Sequence, residues 1–393
     1  MTKRSHMTVL DDLPEWIVIE EILVRLPPKD VLRCRAVRKL WRSTTSTDKF
    51  MLDNRRRQPL LPVIRQYIPE QSGFSFVVFR DNGAITSDQK LWPIIQLSKF
   101  HKLLGACDGF LILSAGSDFW ICNPATRKCA PLPQPRVPSS LREGSRIYIA
   151  GFYGHHPSGE YRVLWFSRGC QRGYILTVGS DKPRIISRPS VSSRLPECRR
   201  QGAFDSRYSS QVNHRCSLHW LTGIYMKTAV DIMVFDTITE TFRWMRSPDQ
   251  LGCRVSLLEM GNRLASCSNN DGSIEIWVMQ DYEAEPWALN YRINLVAMKT
   301  SPLLDFSLRH ISNIALLNKR ELLIWCWTPS WGHDYLLHCD IDEKLLGCYK
   351  LKHGTYSVYF TNQYIQESML PLPFCEMQEE GGVDKEPRFL IVL

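Results

Sequence analysis

The pattern of apolar and polar positions changes character once along this chain. Between residues 11 and 50 the apolar residues recur at helical spacing, with Ile17, Ile22, Leu23 and Leu26 on one stripe. Asp11 and Asp12 precede Pro14, which suits a capped helix start with proline in the first turn. Pro27-Pro28 stops that helix, because proline lacks the amide a helix interior needs. Asp30 is placed to start a second short helix carrying Val31 and Leu32. Val37, Leu40 and Trp41 form the stripe of a third. About forty residues bury too little surface to close a robust core alone, so a partner or the rest of the chain must cover part of these faces.

From residue 60 onward the period shortens. Runs rich in Val, Ile, Phe, Tyr and Trp appear at Phe74–Phe79, Phe110–Leu113, Tyr161–Phe166, Ile232–Phe235, Ile274–Val278, Leu322–Trp327 and Ser357–Phe360, with turn residues between them. That is the signature of an all-β domain with many short strands. A repeat lies inside it: a strand, an Asx or Ser turn, then a second strand with an apolar anchor. The turn residues are Asp81, Asn123, Ser180, Asp236, Asp281 and Asp340. They recur at intervals of roughly 40–60 residues, the range of propeller blades. The pattern predicts a small all-α unit of three short helices over residues 8–53, a linker over 54–72 and a large β domain over 73–370. The β domain is read as β-propeller-like, with a β-sandwich as the alternative. Residues 181–215, rich in Ser, Arg and Pro, read as an irregular loop. Residues 371–393 read as an acidic, disordered tail.

Composition adds limits. Hydrophobic residues make up 44% and charged residues 23%, which is ordinary globular usage. The net charge is +9, without the basic stripe on a recognisable module that nucleic-acid binding needs. Arg55-Arg56-Arg57 reads as a solvated helix end or linker. No apolar run approaches a bilayer span of about twenty residues, so a membrane role is not expected. The 13 cysteines lack C-x-x-C spacing and suit a reducing compartment, cytosolic or nuclear. Catalytic signatures are missing: no G-x-S-x-G, no H-E-x-x-H and no P-loop. His155-His156 reads as a surface turn. The cluster His214, Cys216 and His219 reads as strand, with Cys216 and Leu218 on one face. Asp108-Gly109 and Asn269-Asn270-Asp271-Gly272 read as hairpin turns. No cofactor or metal is expected, and the β domain reads as a non-catalytic binding scaffold.

The front segment resembles the F-box, in Leu13-Pro14, Ile17, Glu21-Ile22-Leu23, Arg25-Leu26-Pro27, Leu32, Arg35, Val37, Lys39, Trp41-Arg42 and Phe50. The β region resembles the F-box-associated domain of plant F-box proteins. The residues that carry this include Gly105-Ala106-Cys107-Asp108-Gly109-Phe110-Leu111, Cys122-Asn123-Pro124-Ala125-Thr126-Arg127 and Phe235-Asp236-Thr237-Ile238-Thr239-Glu240-Thr241-Phe242. The resemblance implies docking on a Skp-type adaptor, through it a cullin scaffold, and capture of a protein substrate for ubiquitination by the β domain. On this reading the adaptor-binding residues are Leu13, Pro14, Ile17, Leu23, Leu26, Pro27, Leu32 and Trp41, with Ile22 and Val37 internal. Trp16 and Thr44-Thr45 depart from the family pattern at positions that bear on docking. Two alternatives stay open: an F-box protein acting outside the ligase as a binding or decoy protein, and a propeller-like small-ligand receptor.

Overall fold

The computed structural model describes residues 13–68, 73–81, 90–97, 101–135, 147–167, 172–180, 182–187, 211–221, 231–249, 251, 253–270, 273–295, 310–328, 333–351, 358–373 and 389–392. It opens with helical elements. Helix α1 (Glu15–Ile17) runs on into a π-helical turn (Val18–Ile22) and a 3-10 turn (Leu23–Arg25), followed by α2 (Pro28–Cys34), α3 (Lys39–Thr45) and α4 (Asp48–Arg57). The π turn sets the packing. It brings two pairs of residues five apart, Val18 with Leu23 and Ile19 with Val24, to the inward side, and all four are buried. The expected stripe through Ile17, Ile22 and Leu26 is only half-buried. Helix α4 is additional to the three expected helices. Thr47 caps it, its hydroxyl accepting from the Phe50 amide at 3.3 Å.

Among the described residues twenty-five strands follow, in six sheets. The first blade is β1 (Leu60–Ile68), β2 (Gly73–Phe79) and β3 (Leu91–Leu97), completed by β24 (Val358–Gln366) and β25 (Phe389–Ile391) in the order β24-β1-β2-β3-β25. The second is β4 (His101–Cys107), β5 (Phe110–Ala115), β6 (Asp118–Asn123) and β7 (Lys128–Pro131). The third is β8 (Ile147–His155), β9 (Glu160–Ser167), β10 (Arg172–Thr177) and β11 (Arg184–Ser187). The fourth is β12 (Gln211–His214), β13 (Ser217–Leu221), β14 (Asp231–Asp236) and β15 (Thr241–Arg246). The fifth is β16 (Cys253–Met260), β17 (Arg263–Asn270), β18 (Ser273–Met279) and β19 (Trp287–Asn294). The sixth is β20 (His310–Leu316), β21 (Glu321–Thr328), β22 (His333–Asp340) and β23 (Leu345–Lys350). Within each sheet neighbouring strands are antiparallel. The result is a six-bladed β-propeller.

Six apolar clusters fill the six seams between blades. The seam between the fifth and sixth blades, for example, joins Ile274 and Ile276 to Leu322 and Ile324, all fully buried. Closure falls to β24. It pairs with β1 from Leu60↔Gln366 to Gln66↔Val358, so strands from the two ends of the propeller share one sheet. Pro62 is tolerated in β1 because the register shifts between Pro62 and Ile64.

Three expected boundaries are corrected here. The stretch 54–72, read as a linker, holds the end of α4 and the whole of β1. The stretch 181–215, read as loop, contains β11 and β12, while 188–210 lies outside the described residues. Within the stretch read as tail, Phe389–Ile391 pairs with β3, and 374–388 lies outside the described residues. Ser357, Asp271 and Gly272 also lie outside them.

The repeated turn residues each stand at the connection between the third and fourth strands of a blade, with the first blade counted from β24. The physical reason for their recurrence is visible in four of them. The Asp236 carboxylate accepts from the Ile238 and Thr239 amides, both at 2.8 Å. Asp281 accepts from Glu283 and Ala284, Asp340 from Asp342 and Lys344, and Asn123 from Ala125 and Thr126. Each turn then reaches a residue in the left-handed region: Arg127, Glu240, Glu285 or Glu343. Those glutamates grip the preceding blade. Glu240 accepts from Tyr153 Oη at 2.7 Å and Arg162 Nη1 at 2.8 Å, and Glu285 from Arg243 Nη1 at 2.9 Å.

Removing one side-chain acceptor from such a turn leaves two amides without it. Asp236→Ala is expected to lower stability by about 1–2 kcal/mol, while Asp236→Asn, which keeps Oδ1, stays within about 0.5 kcal/mol. Denaturant midpoints of the two variants check this, and equal midpoints would show that the turn does not need the acceptor.

Candidate functional site

The helical segment is seated on one end of the propeller by the chain that leaves β24. Its core consists of Val18, Ile19, Leu23, Val24, Val31, Trp41, Phe50 and Met51, and it is completed by Met369 from that exiting chain. Leu370 packs against the same core and against the seam between the second and third blades, where Leu372 is buried. Residues 366–373 thus form a strap that belongs to both units. Burying Met369 and Leu372 contributes about 1.5–3 kcal/mol each.

Polar bonds fix the strap on both sides. Asn123 Nδ2 donates to the carbonyls of Ser368 at 3.0 Å and Leu370 at 2.8 Å, while its Oδ1 holds its own turn. Arg80 pairs with the buried Glu367. The Asp108-Gly109 turn lies beneath, with both residues at positive φ. A Cβ on Gly109 would stand 2.5 Å from Ser368 Cβ, so only glycine lets the strap pass. On the helical side, Arg35 donates to the Thr45 carbonyl at 2.7 Å and to Thr45 Oγ1 at 3.1 Å, and approaches Met369 Sδ at 3.9 Å.

Helix α4 makes the other half of the joint. Asn54 Nδ2 donates to the carbonyls of Val24 and Leu26, and Gln58 Nε2 to that of Leu26, which fixes the exit of the first helical stretch. Gln366 Nε2 in turn donates to the Gln58 carbonyl at 3.0 Å. Arg55 pairs with Asp108 at 2.8 Å, and Asp108 accepts from Tyr161 Oη at 3.0 Å. Burial, and then the charge of Asp108, push the Tyr161 phenol pKa up.

The outer face of the helical segment is where the candidate residues divide. Leu23 and Trp41 are buried at 3% and 6% exposure, so they hold the segment together from inside and offer no docking surface, which corrects their expected role. Trp41 Nε1 donates to Glu15 at 2.7 Å, and Arg38 pairs with the same carboxylate. Leu13, Ile17, Leu26, Pro27 and Leu32 are half-buried, and Pro14 is exposed. Val37, expected inside, is 64% exposed. Leu40 is 50% and Trp16 60% exposed. These three flank the Glu15–Arg38–Trp41 junction in sequence, Trp16 beside Glu15 and Val37 and Leu40 beside Arg38 and Trp41. Sequence reasoning misses Glu15, Asn54, Gln58 and Met369. Their signal is a partner distant in the chain, which periodicity does not carry.

The histidine sites resolve differently. His155 ends β8 and its Nδ1 lies 2.8 Å from Ser158 Oγ. Cys216 sits exposed in the turn between β12 and β13 at φ 53°, whereas Leu218 is buried, so the two do not share a strand face. His219 is fully buried, its Nε2 2.8 Å from Tyr282 Oη and its Nδ1 3.3 Å from the Val212 carbonyl. Among the described residues no group of three His, Cys, Asp or Glu is arranged to hold a metal ion, and no helix is long and apolar enough to cross a membrane.

Fold and seat together define the class: a six-bladed propeller whose closing strand runs on into a strap that carries a helical unit. A family model described as the F-box associated beta propeller domain matches residues 72–368. The chain therefore belongs to the F-box-associated β-propeller family of plant F-box proteins. It is 25% identical over 293 residues to the F-box protein At5g18160 of Arabidopsis thaliana, covering 72% of this chain and 71% of that one. It is 26% identical over 314 residues to the F-box protein At5g49610 of the same plant, covering 72% and 79%. Among solved structures, a luciferin-regenerating enzyme aligns at 9% identity with a TM-score of 0.40 over 75% of this chain and 82% of that one, too distant to inform function.

Asn123 and His219 each give this geometry a measurable consequence. Asn123→Ala removes two strap bonds and two turn bonds, and is expected to lower stability by about 2–4 kcal/mol and expose the strap to protease. Unchanged melting and cleavage would show that Asn123 does not anchor it. His219 sets a pH dependence. Burial lowers its pKa to about 3, against an ordinary value of 6.5. The unfolded chain therefore takes up a proton below pH 6.5 that the folded chain refuses, and stability falls as pH drops from 6.5 toward 3. The slope of denaturation midpoint against pH in that window should be shallower in His219→Asn.

Proposed function

We propose that this protein is the substrate-recognition subunit of an SCF-type ubiquitin ligase. Its F-box docks on a Skp-type adaptor, the adaptor joins it to a cullin scaffold, and the propeller holds a protein substrate. The observation that carries the reading is the exposed apolar set Pro14, Trp16, Val37 and Leu40 on a helical unit whose core is already completed by Met369. Large apolar side chains left in water on a small helical unit are what a partner's groove covers. Leu13, Ile17, Leu26, Pro27 and Leu32 are half-buried, with Leu13, Leu26 and Leu32 packed on the helical core to which Leu23 and Trp41 belong.

The role needs no catalytic residue. A receptor accelerates ubiquitin transfer by holding a substrate lysine near a charged conjugating enzyme, and the gain is one of effective concentration. Such a role places the protein in the cytoplasm or nucleus.

Co-expression with a plant Skp-type adaptor and capture through the full chain tests the reading. Val37→Asp and Leu40→Asp should each weaken capture at least about tenfold, or about 1.4 kcal/mol, at unchanged melting temperature. Trp16→Ala should also weaken it, showing that Trp16 is a contact. Failure of the wild-type chain to retain adaptor sinks the reading.

A further inference from the structure

At the end of the first blade away from the helical seat, one arginine lacks a counterion among the described residues. Arg65 lies on β1, opposite Tyr359 on β24 and Phe76 on β2. It stands five residues beyond Leu60, where the chain enters the propeller from the helices, so about 16 Å along the strand at about 3.3 Å per residue. Its guanidinium carbon sits 3.6 Å from the centre of the Phe74 ring, and Phe74 packs against Tyr67 with ring centres 5.3 Å apart. Its Nε is buried without a hydrogen-bond partner, and no described carboxylate pairs with it. Burial pushes its pKa down, against a smaller opposing effect of Tyr359.

Its neighbours are aromatic. Tyr359 is 45% exposed beside it and meets Trp325 edge-on with ring centres 6.3 Å apart. The Trp325 indole Nε1 is a second buried donor without a partner, on a side chain only 5% exposed. A buried donor left unpaired is costly. A guanidinium held this close to an aromatic ring has already lost much of its rotamer freedom, so it is organised for a carboxylate before one arrives. Arginine and tyrosine are also the residue types on which binding energy concentrates.

We propose that Arg65, Tyr67, Phe74 and Tyr359 form a capture site for an acidic segment of a protein substrate. A glutamate or aspartate carboxylate of that segment lies on Arg65, and its apolar carbons lie on Tyr67 and Tyr359. The chain's net charge of +9 draws such a segment in from a distance. This inference rests on the reading that the propeller holds a protein substrate.

The test is fluorescence anisotropy of a fluorescein-labelled octaglutamate peptide titrated with the full chain, with adaptor capture measured on the same preparations. Wild type should bind, more weakly as salt rises. Arg65→Gln should weaken binding at least tenfold and Tyr359→Ala at least threefold, with adaptor capture unchanged. Arg56→Gln, an exposed charge on α4, should bind within twofold of wild type. The site is overturned if wild type does not bind the peptide, if Arg65→Gln binds as wild type does, or if Arg56→Gln weakens binding equally. Should Arg65→Gln melt early, Tyr359→Ala decides, since its side chain lies at the surface. Adaptor capture without peptide binding removes this site and leaves the ligase reading standing. Peptide binding without adaptor capture does the reverse.

Discussion

The pairing of β24 with β1 is the constraint on which the rest depends. A ring of blades has no edge only if one blade is built from both ends of the propeller, and here the inner strand of the first blade comes from residues 358–366. This pairing joins segments separated by almost the whole propeller, so its loop-closure cost falls due before its contacts reward it. All six seams are apolar, and each blade shields two of them. Losing the closing strand would therefore open the seams on either side of the first blade as well as one ladder of hydrogen bonds.

The same strand decides where the helices sit. Its continuation supplies Met369 to a helical core that about forty residues cannot complete alone. Gln366 bonds the end of α4, and Asn123 bonds the strap from the second blade. Folding of the F-box is thus coupled to closure of the ring. The coupling bears on the proposed function. If the propeller holds a substrate and an adaptor covers Trp16, Val37 and Leu40, a flexible tether would spread the substrate over many orientations, whereas this joint fixes its direction. Effective concentration depends on that restriction as much as on distance.

Local features of the fold are legible in the sequence, and features created by distant contacts are not. The Asx turns can be read because each acceptor serves amides two to four residues away in its own turn. Asp108-Gly109 can be read because its positive φ values are a local demand. Strand β1 reads as a linker because its proline argues against an internal strand, and the register shift opposite β24 admits Pro62. Leu23 faces inward because the first helical stretch is not an unbroken α-helix, and Val37 is exposed because it lies in the turn before α3 and not on that helix. The π turn after Ile17 advances the face by one residue, and the junction of Glu15 with Trp41 turns that indole inward.

Thr45 shows how a departure from a family pattern can be a change of partner. An apolar residue there would pack the third helix, and a threonine reads as a weakened core. In the structure Thr45 is fully buried, its Oγ1 donates to the Trp41 carbonyl at 2.6 Å and accepts from Arg35 Nε at 3.1 Å. An aliphatic side chain would leave that Arg35 donor unpaired beside Met369, at a cost of about 1–3 kcal/mol. The hydroxyl therefore serves the joint: it holds Arg35, which links α3 to the strap at Met369. Trp16 is the opposite case, since nothing among the described residues covers most of its ring. One departure is used up inside the protein, and the other stays at the surface.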